Sequence, residues 1–192
     1  VNLADYSADF GRADTADGKH IFIAGSYHMV DGDNSGAFGG NRNRIAGTNS
    51  VTAGGQDIFI TGNTNFVAGS RDTVTGNNNG MAAYRSSTLG DYNFTAGTHN
   101  AIVGNQNFIG GNHNQIESTN SVLFGVYNNI LASGPFNAHN ALIGGRENNM
   151  LGNVSESFIA AGRGNTINGY AYGLLVSGGY NTASGNFSLL TG

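Results

Sequence analysis

Residues 94–107 read FTAGTHNAIVGNQN, residues 108–121 read FIGGNHNQIESTNS, and VLFGVYNNI follows at 122–130. Each stretch carries a bulky residue, a small residue with Gly, a polar turn containing Asn, a second bulky residue and a second Gly or Ser. So short a repeat cannot close a core within one unit, and it points to a solenoid in which neighbouring turns bury one another.

The pattern extends outward from this stretch in both directions. Aligned on its first glycine, each repeat has a leading column that includes Phe22, Ala37, Thr52, Phe66, Phe94 and Phe108, with Ala or Gly two positions on. Positions two apart share a strand face, so this bulky-then-small pair is expected to line a thin core. The column between them, including Ile23, Phe38, Val67, Ile109, Leu123 and Ile143, is also largely apolar. Alternation then places it on the outer face, where another chain is expected to bury it. A second apolar column runs through Val30, Ile45, Ile60, Val74, Ile102, Ile116, Ile130, Met150 and Ile167, with Gly following two positions later in most repeats. β-branched residues beside recurrent glycines favour strands and turns over helix. Two short strands and two tight turns per repeat predict parallel β-coils of about 14-residue rungs, stacked at about 4.8 Å. Asn43, Asn100, Asn114, Asn128, Asn148 and Asn165 recur in the turn, where a left-handed conformation with amides stacked between rungs is expected.

Composition narrows the function. Of 192 residues 32 are Gly, one is Pro and 39% are hydrophobic, and the apolar residues keep step with the glycines, which argues against disorder. Only 10% are charged, the net charge is −4 and no basic run occurs, so neither nucleic acid nor an anionic membrane is an expected partner. There is no Cys for disulfides or thiolate sites, and no apolar run of the roughly 18 residues a membrane helix requires. Residues 1–19, with Asp5, Asp9, Asp14, Asp17 and Arg12 irregularly spaced, read as a lead-in or cap to repeats spanning 20–192. The repeat runs to Gly192, which reads as a segment of something longer.

No catalytic constellation stands out, and no enzyme activity, cofactor or metal is expected. His99 and His113 occupy one turn position in adjacent repeats, but so do Arg42, Asp57, Arg71, Tyr127 and Glu147, which marks a solvent-facing turn. Glu117, Glu147 and Glu156 lack a partner carboxylate. The period is interrupted at 81–87, which lacks its first glycine, at 133–140, and by shorter extensions near 153–157 and 169–173. Such insertions emerge as loops, and the one holding Pro135 and Phe136 is a candidate contact.

The phrases Gly144-Gly145-Arg146-Glu147-Asn148-Asn149, Asn120-Ser121-Val122-Leu123-Phe124-Gly125 and GGYNTASGNFS at 178–188 resemble head repeats of trimeric autotransporter adhesins, the YadA-like heads of UspA type. That resemblance implies a left-handed parallel β-roll assembled as a homotrimer. It also implies display on a Gram-negative outer membrane through an anchor outside this segment. The function it implies is multivalent attachment to host extracellular matrix or cell surfaces, or autoaggregation. Under it, Tyr27, Arg42, Arg71, His99, His113 and Tyr127, with Pro135 and Phe136, form the candidate ligand surface. A structural spacer or phage-fibre segment is the alternative. Ice binding is not expected, because Thr52, Thr73 and Thr95 do not share one ladder.

Overall fold

A computed structural model describes residues 8–131 and 140–192. Its described residues form strands, turns and bends with no helix. The chain divides into two compact units, Val1–Tyr92 and Asn93–Gly192. Each unit is a β-solenoid of two parallel sheets, with successive turns contributing one strand to each sheet. In the first unit, Phe22–Ser26, Gly36–Asn41, Val51–Ala53, Phe66–Ser70 and Gly80–Tyr84 lie in the first sheet. Met29–Asp31, Arg44–Ala46, Phe59–Thr61, Thr73–Thr75 and Ser87–Leu89 lie in the second. Ala8–Asp9 and Thr15–Asp17 also pair in register, with Phe22–Ile23 and Met29–Asp31, so a turn already exists before His20.

The Asn93–Gly192 unit repeats this plan. Its first sheet runs Phe94–Thr98, Phe108–Asn112, Val122–Val126, Leu142–Ile143, Phe158–Arg163, Leu175–Gly179 and Leu189–Thr191. Its second sheet is regular from Ala101–Val103 to Asn149–Leu151. It then broadens where Thr166–Tyr172 pairs with both Val154–Ser155 and Thr182–Asn186. The extensions expected near 153–157 and 169–173 therefore form extra strand pairing here.

The second apolar column faces inward as its pattern predicts, and Val30, Ile45, Ile102, Ile116 and Ile167 are all buried. The first sheet reverses the expectation. Val67 is fully buried while Phe66 beside it is 54% exposed, and Ile23, Ile109, Leu123 and Ile143 are buried likewise. The cause lies one residue upstream of the strand. Asn65, Asn93 and Asn107 point inward at the turn, so strict alternation sends Phe66, Phe94 and Phe108 outward and the next residue in. Double glycines add to the error. The Gly39-Gly40 turn shifts the register, and counting back from the first Gly merges Ala37 and Thr52 with a column to which they do not belong. The true partners of Phe22 and Phe66 are Gly36 and Val51. The apolar column invoked as a seam between three chains is thus the core of the roll itself.

The turns also differ from expectation. The left-handed residue is the one before each Asn: Arg42, His99, His113, Tyr127 and Glu147 have φ of 53–59°. The Asn that follows returns to extended backbone and turns its amide inward. Asn114, Asn128, Asn148, Asn165 and Asn181 each donate a backbone N–H to the side-chain oxygen of the preceding member, at 2.9–3.0 Å. Each amide nitrogen in turn donates to a glycine carbonyl of the following turn, as Asn128 does to Gly145 at 2.8 Å. Interior polar groups are thereby satisfied in pairs, which a buried turn requires. Ser50, Asn65, Asn79, Asn107 and Ser121 do the same at the opposite edge. At 81–87 the solenoid is unbroken: Met81 is buried and Ala83 stands opposite Gly69.

Candidate functional site

The edge that carries Tyr27, Arg42, Arg71, His99, His113 and Tyr127 is exposed, and all six adopt the left-handed turn conformation. Within the first unit Tyr27, Arg42 and Arg71 lie along one column of turns; within the second, His99, His113 and Tyr127 do. The side chains of Arg42, Arg71, His99, His113 and Tyr127 engage each other or neighbouring turns. Arg42 donates from Nε and Nη2 to both Asp57 oxygens, at 2.7 and 3.1 Å. Arg71 donates to Tyr84 Oη at 3.1 Å. The rings of His99 and His113 stack at 4.5 Å, and His113 stacks on Tyr127 at 4.9 Å. Glu147 accepts from both Arg146 and Arg163, which holds its carboxyl below the usual range, Arg163 being the larger influence. These are ladders in which neighbouring turns satisfy one another. Pro135 and Phe136 lie outside the described residues. Among the described residues no group of three or more His, Asp or Glu is placed to hold a metal.

The second sheet of the first unit presents a different surface. Alternation around the buried column sends two residues of each strand outward. One outer column runs Thr15, Met29, Arg44, Phe59, Thr73 and Ser87; the other runs Asp17, Asp31, Ala46, Thr61, Thr75 and Leu89. Thr73 lies between Phe59 and Ser87, and Thr75 between Thr61 and Leu89. Thr61, Thr73, Thr75 and Ser87 therefore form a patch of hydroxyls over three consecutive turns. Neighbours in a column stand about 4.8 Å apart, and the two columns about 6.6 Å. The backbone beneath is fixed by inter-turn bonds such as Thr73 N to Ser86 O at 3.0 Å and Gly76 N to Thr61 O at 2.9 Å.

The threonines weighed from sequence were the wrong set. Thr52 and Thr95 are fully buried on the inward face of the first sheet, so they never belonged to a surface ladder with Thr73. The readable signal was Phe59-Ile60-Thr61-Gly62 followed by Thr73-Val74-Thr75-Gly76, in which a buried β-branched residue is flanked by threonine.

The family model described as the grass antifreeze beta roll matches residues 15–125, more than half of the chain, and the chain belongs to that family. No curated protein matches it. The resemblance to trimeric autotransporter adhesin heads is corrected by this result, and with it the adhesin function. The features the phrases share, an inward Asn near a glycine and an apolar residue two positions before the next glycine, are general to the turns of this roll and do not single out an adhesin head.

Proposed function

We propose that this antifreeze-family β-roll binds ice through the outer face of the second sheet in its first unit, centred on Thr61, Thr73, Thr75 and Ser87. The observation that carries the proposal is the placement of these four hydroxyls, in register, on consecutive turns of one parallel sheet. An ice surface is a regular array of water molecules, and a ligand for it must present groups that repeat in two dimensions. A threonine supplies both halves of what such contact needs: a hydroxyl that holds water at a fixed point and a methyl that excludes water beside it. Parallel β-turns impose the repeat without adjustable loops, so little side-chain or backbone freedom is lost on adsorption.

The patch is bounded. Arg44 and Phe59 interrupt the first column before Thr73, and Asp17 and Asp31 occupy the other column in the earliest turns. A charged side chain keeps its own hydration, and a phenyl ring rises above its neighbours, so neither continues the array. A patch of this size fits restraint of crystal growth better than a broad adsorbing plane.

The test is an ice recrystallisation assay on the purified chain, with thermal hysteresis measured alongside. Smaller ice grains than a matched inert protein gives at equal concentration are the expected result. Grain growth identical to the control would sink the proposal.

A further inference from the structure

The two extensions of the period in the Asn93–Gly192 unit, near 153–157 and 169–173, lie side by side in its second sheet, where Val154–Ser155 pairs with Ala171–Tyr172. Inserted sequence in a solenoid often marks the side that binds. Towards the following turn the pairing skips. Asn168, Gly169 and Tyr170 stand between the pairs Ile167–Ala183 and Ala171–Gly185, opposite Ser184 alone. The surplus residues leave a step in the outer face. An open depression of about 340 Å³ lies there, lined by Asn153, Ser155, Tyr170, Ala171, Tyr172 and Asn186. Its size falls at the lower end of the range for small-ligand sites, about 300–1,000 Å³.

Alternation around the buried Ala171 sends Tyr170 and Tyr172 to the same outer side, about 6.6 Å apart along the strand. Ser155 and Asn186 flank Tyr172 in register on the neighbouring turns, each about 4.8 Å away. Tyr172 is held before any ligand arrives. Its hydroxyl donates to the Glu156 carboxylate, which keeps the phenol above its ordinary range. The Phe187 ring meets it edge-on, 5.2 Å between centroids. Tyr170 is the opposite case, 78% exposed at the rim. Among the described residues no Lys or Arg lines the depression.

We propose that this depression is a glycan site that takes one neutral sugar ring of a polysaccharide chain. A pyranose ring has an apolar face of C–H groups and a rim of hydroxyls that both donate and accept. The tyrosine rings offer apolar faces, while the Ser155 hydroxyl and the Asn186 amide each offer a donor and an acceptor on either side. A nucleobase would stack on the same rings, but its phosphate finds no cation here. A wholly apolar ligand would cover the Ser155 and Asn186 polar groups without returning a hydrogen bond. Because Tyr172 is fixed in advance, ordering on binding falls mainly on Tyr170. The site lies wholly within the second unit and the ice-binding proposal within the first, so the two stand or fall separately.

Isothermal titration calorimetry of the purified chain against cellohexaose, xylohexaose, laminarihexaose and mannohexaose tests this. Saturable binding of at least one of them is expected, insensitive to added sodium chloride because no ion pair is involved. Tyr170→Ala and Asn186→Ala are each expected to weaken it at least tenfold. Both side chains are exposed, so far-ultraviolet circular dichroism should stay unchanged. Tyr180→Ala, at a 71% exposed tyrosine on the turn edge, is expected to leave binding intact, which separates the depression from general tyrosine contact. No heat of binding with any of these glycans overturns the proposal. So does tighter binding of adenosine monophosphate than of every glycan, or glycan binding that survives both substitutions in the depression.

Discussion

Asn148 donates its backbone N–H to Asn128 Oδ1 at 2.9 Å, although the two residues are 20 apart in sequence. The Asn128 amide simultaneously donates to Gly145 O at 2.8 Å and to Phe124 O at 3.1 Å. One fully buried side chain thus serves three backbone groups on two turns. Asn128→Ala takes a partner from all three, and the bond to the Asn148 N–H is a buried one. A loss of about 2–4 kcal/mol is expected, from the cost of orphaned buried polar groups. Urea unfolding measures it, and a change below about 0.5 kcal/mol would contradict this role for the ladder.

Asp72 occupies an Asn position in the first unit but lacks the amide donor. Its Oδ1 accepts from Ser86 N at 2.9 Å, while its Oδ2 is buried without a partner. Burial pushes its carboxyl from 3.8 up to about 6, partly offset by backbone hydrogen bonds from Ser86 and Ser70. The folded state therefore keeps a proton that the unfolded chain has released between these values. Stability falls as pH rises from 3.8 through about 6 and returns on acidification. Asp72→Asn is expected to remove this part of the pH response and to raise the melting temperature at neutral pH. Melts of both proteins across that range provide the check.

Thr64 holds φ of 58°, a left-handed conformation that a β-branched residue adopts only under strain. The equivalent turns place Asn at 49 and 78 with φ of 54° and 57°. Thr64→Asn should relieve roughly 1 kcal/mol at this exposed position, by the usual cost of a strained backbone residue. Differential scanning calorimetry would register a higher midpoint, and an unchanged or lower one would refute the assignment of strain.

Thr75 sits at the centre of one outer column, between Thr61 and Leu89. Thr75→Lys brings a hydrated charge into the hydroxyl patch without touching the core. Ice recrystallisation inhibition is expected to fall at least tenfold in effective concentration, with the melting temperature nearly constant. His113→Ala, on the turn edge, is expected to leave inhibition unaltered. The reverse pattern would move the ice contact from the sheet to the edge.

The period, the parallel strands and one of the two core columns are legible in the sequence because glycine and β-branched residues recur at fixed distances. Which face of the first sheet lies inside is not legible from hydrophobicity, since Phe66 and Val67 are both apolar and adjacent. What decides it is the inward Asn65, a polar residue that composition alone assigns to the surface. The exposed threonine patch is hidden for a related reason. Thr52, Thr61 and Thr73 look alike as letters, and only the register separates the buried one from the exposed pair. The stacked His99 and His113 drew attention as chemistry, yet their position follows from turn geometry alone.

The inward asparagines leave one more mark on the molecule, in how it can change over generations. Successive members of the Asn100–Asn181 series are separated by 14, 14, 20, 17 and 16 residues, and each still bonds to the next. Turns of different length are accommodated while the ladder keeps its step. Duplication or deletion of a whole turn should therefore be tolerated almost as readily as a surface loop insertion, so the protein's length is freer to drift than its cross-section.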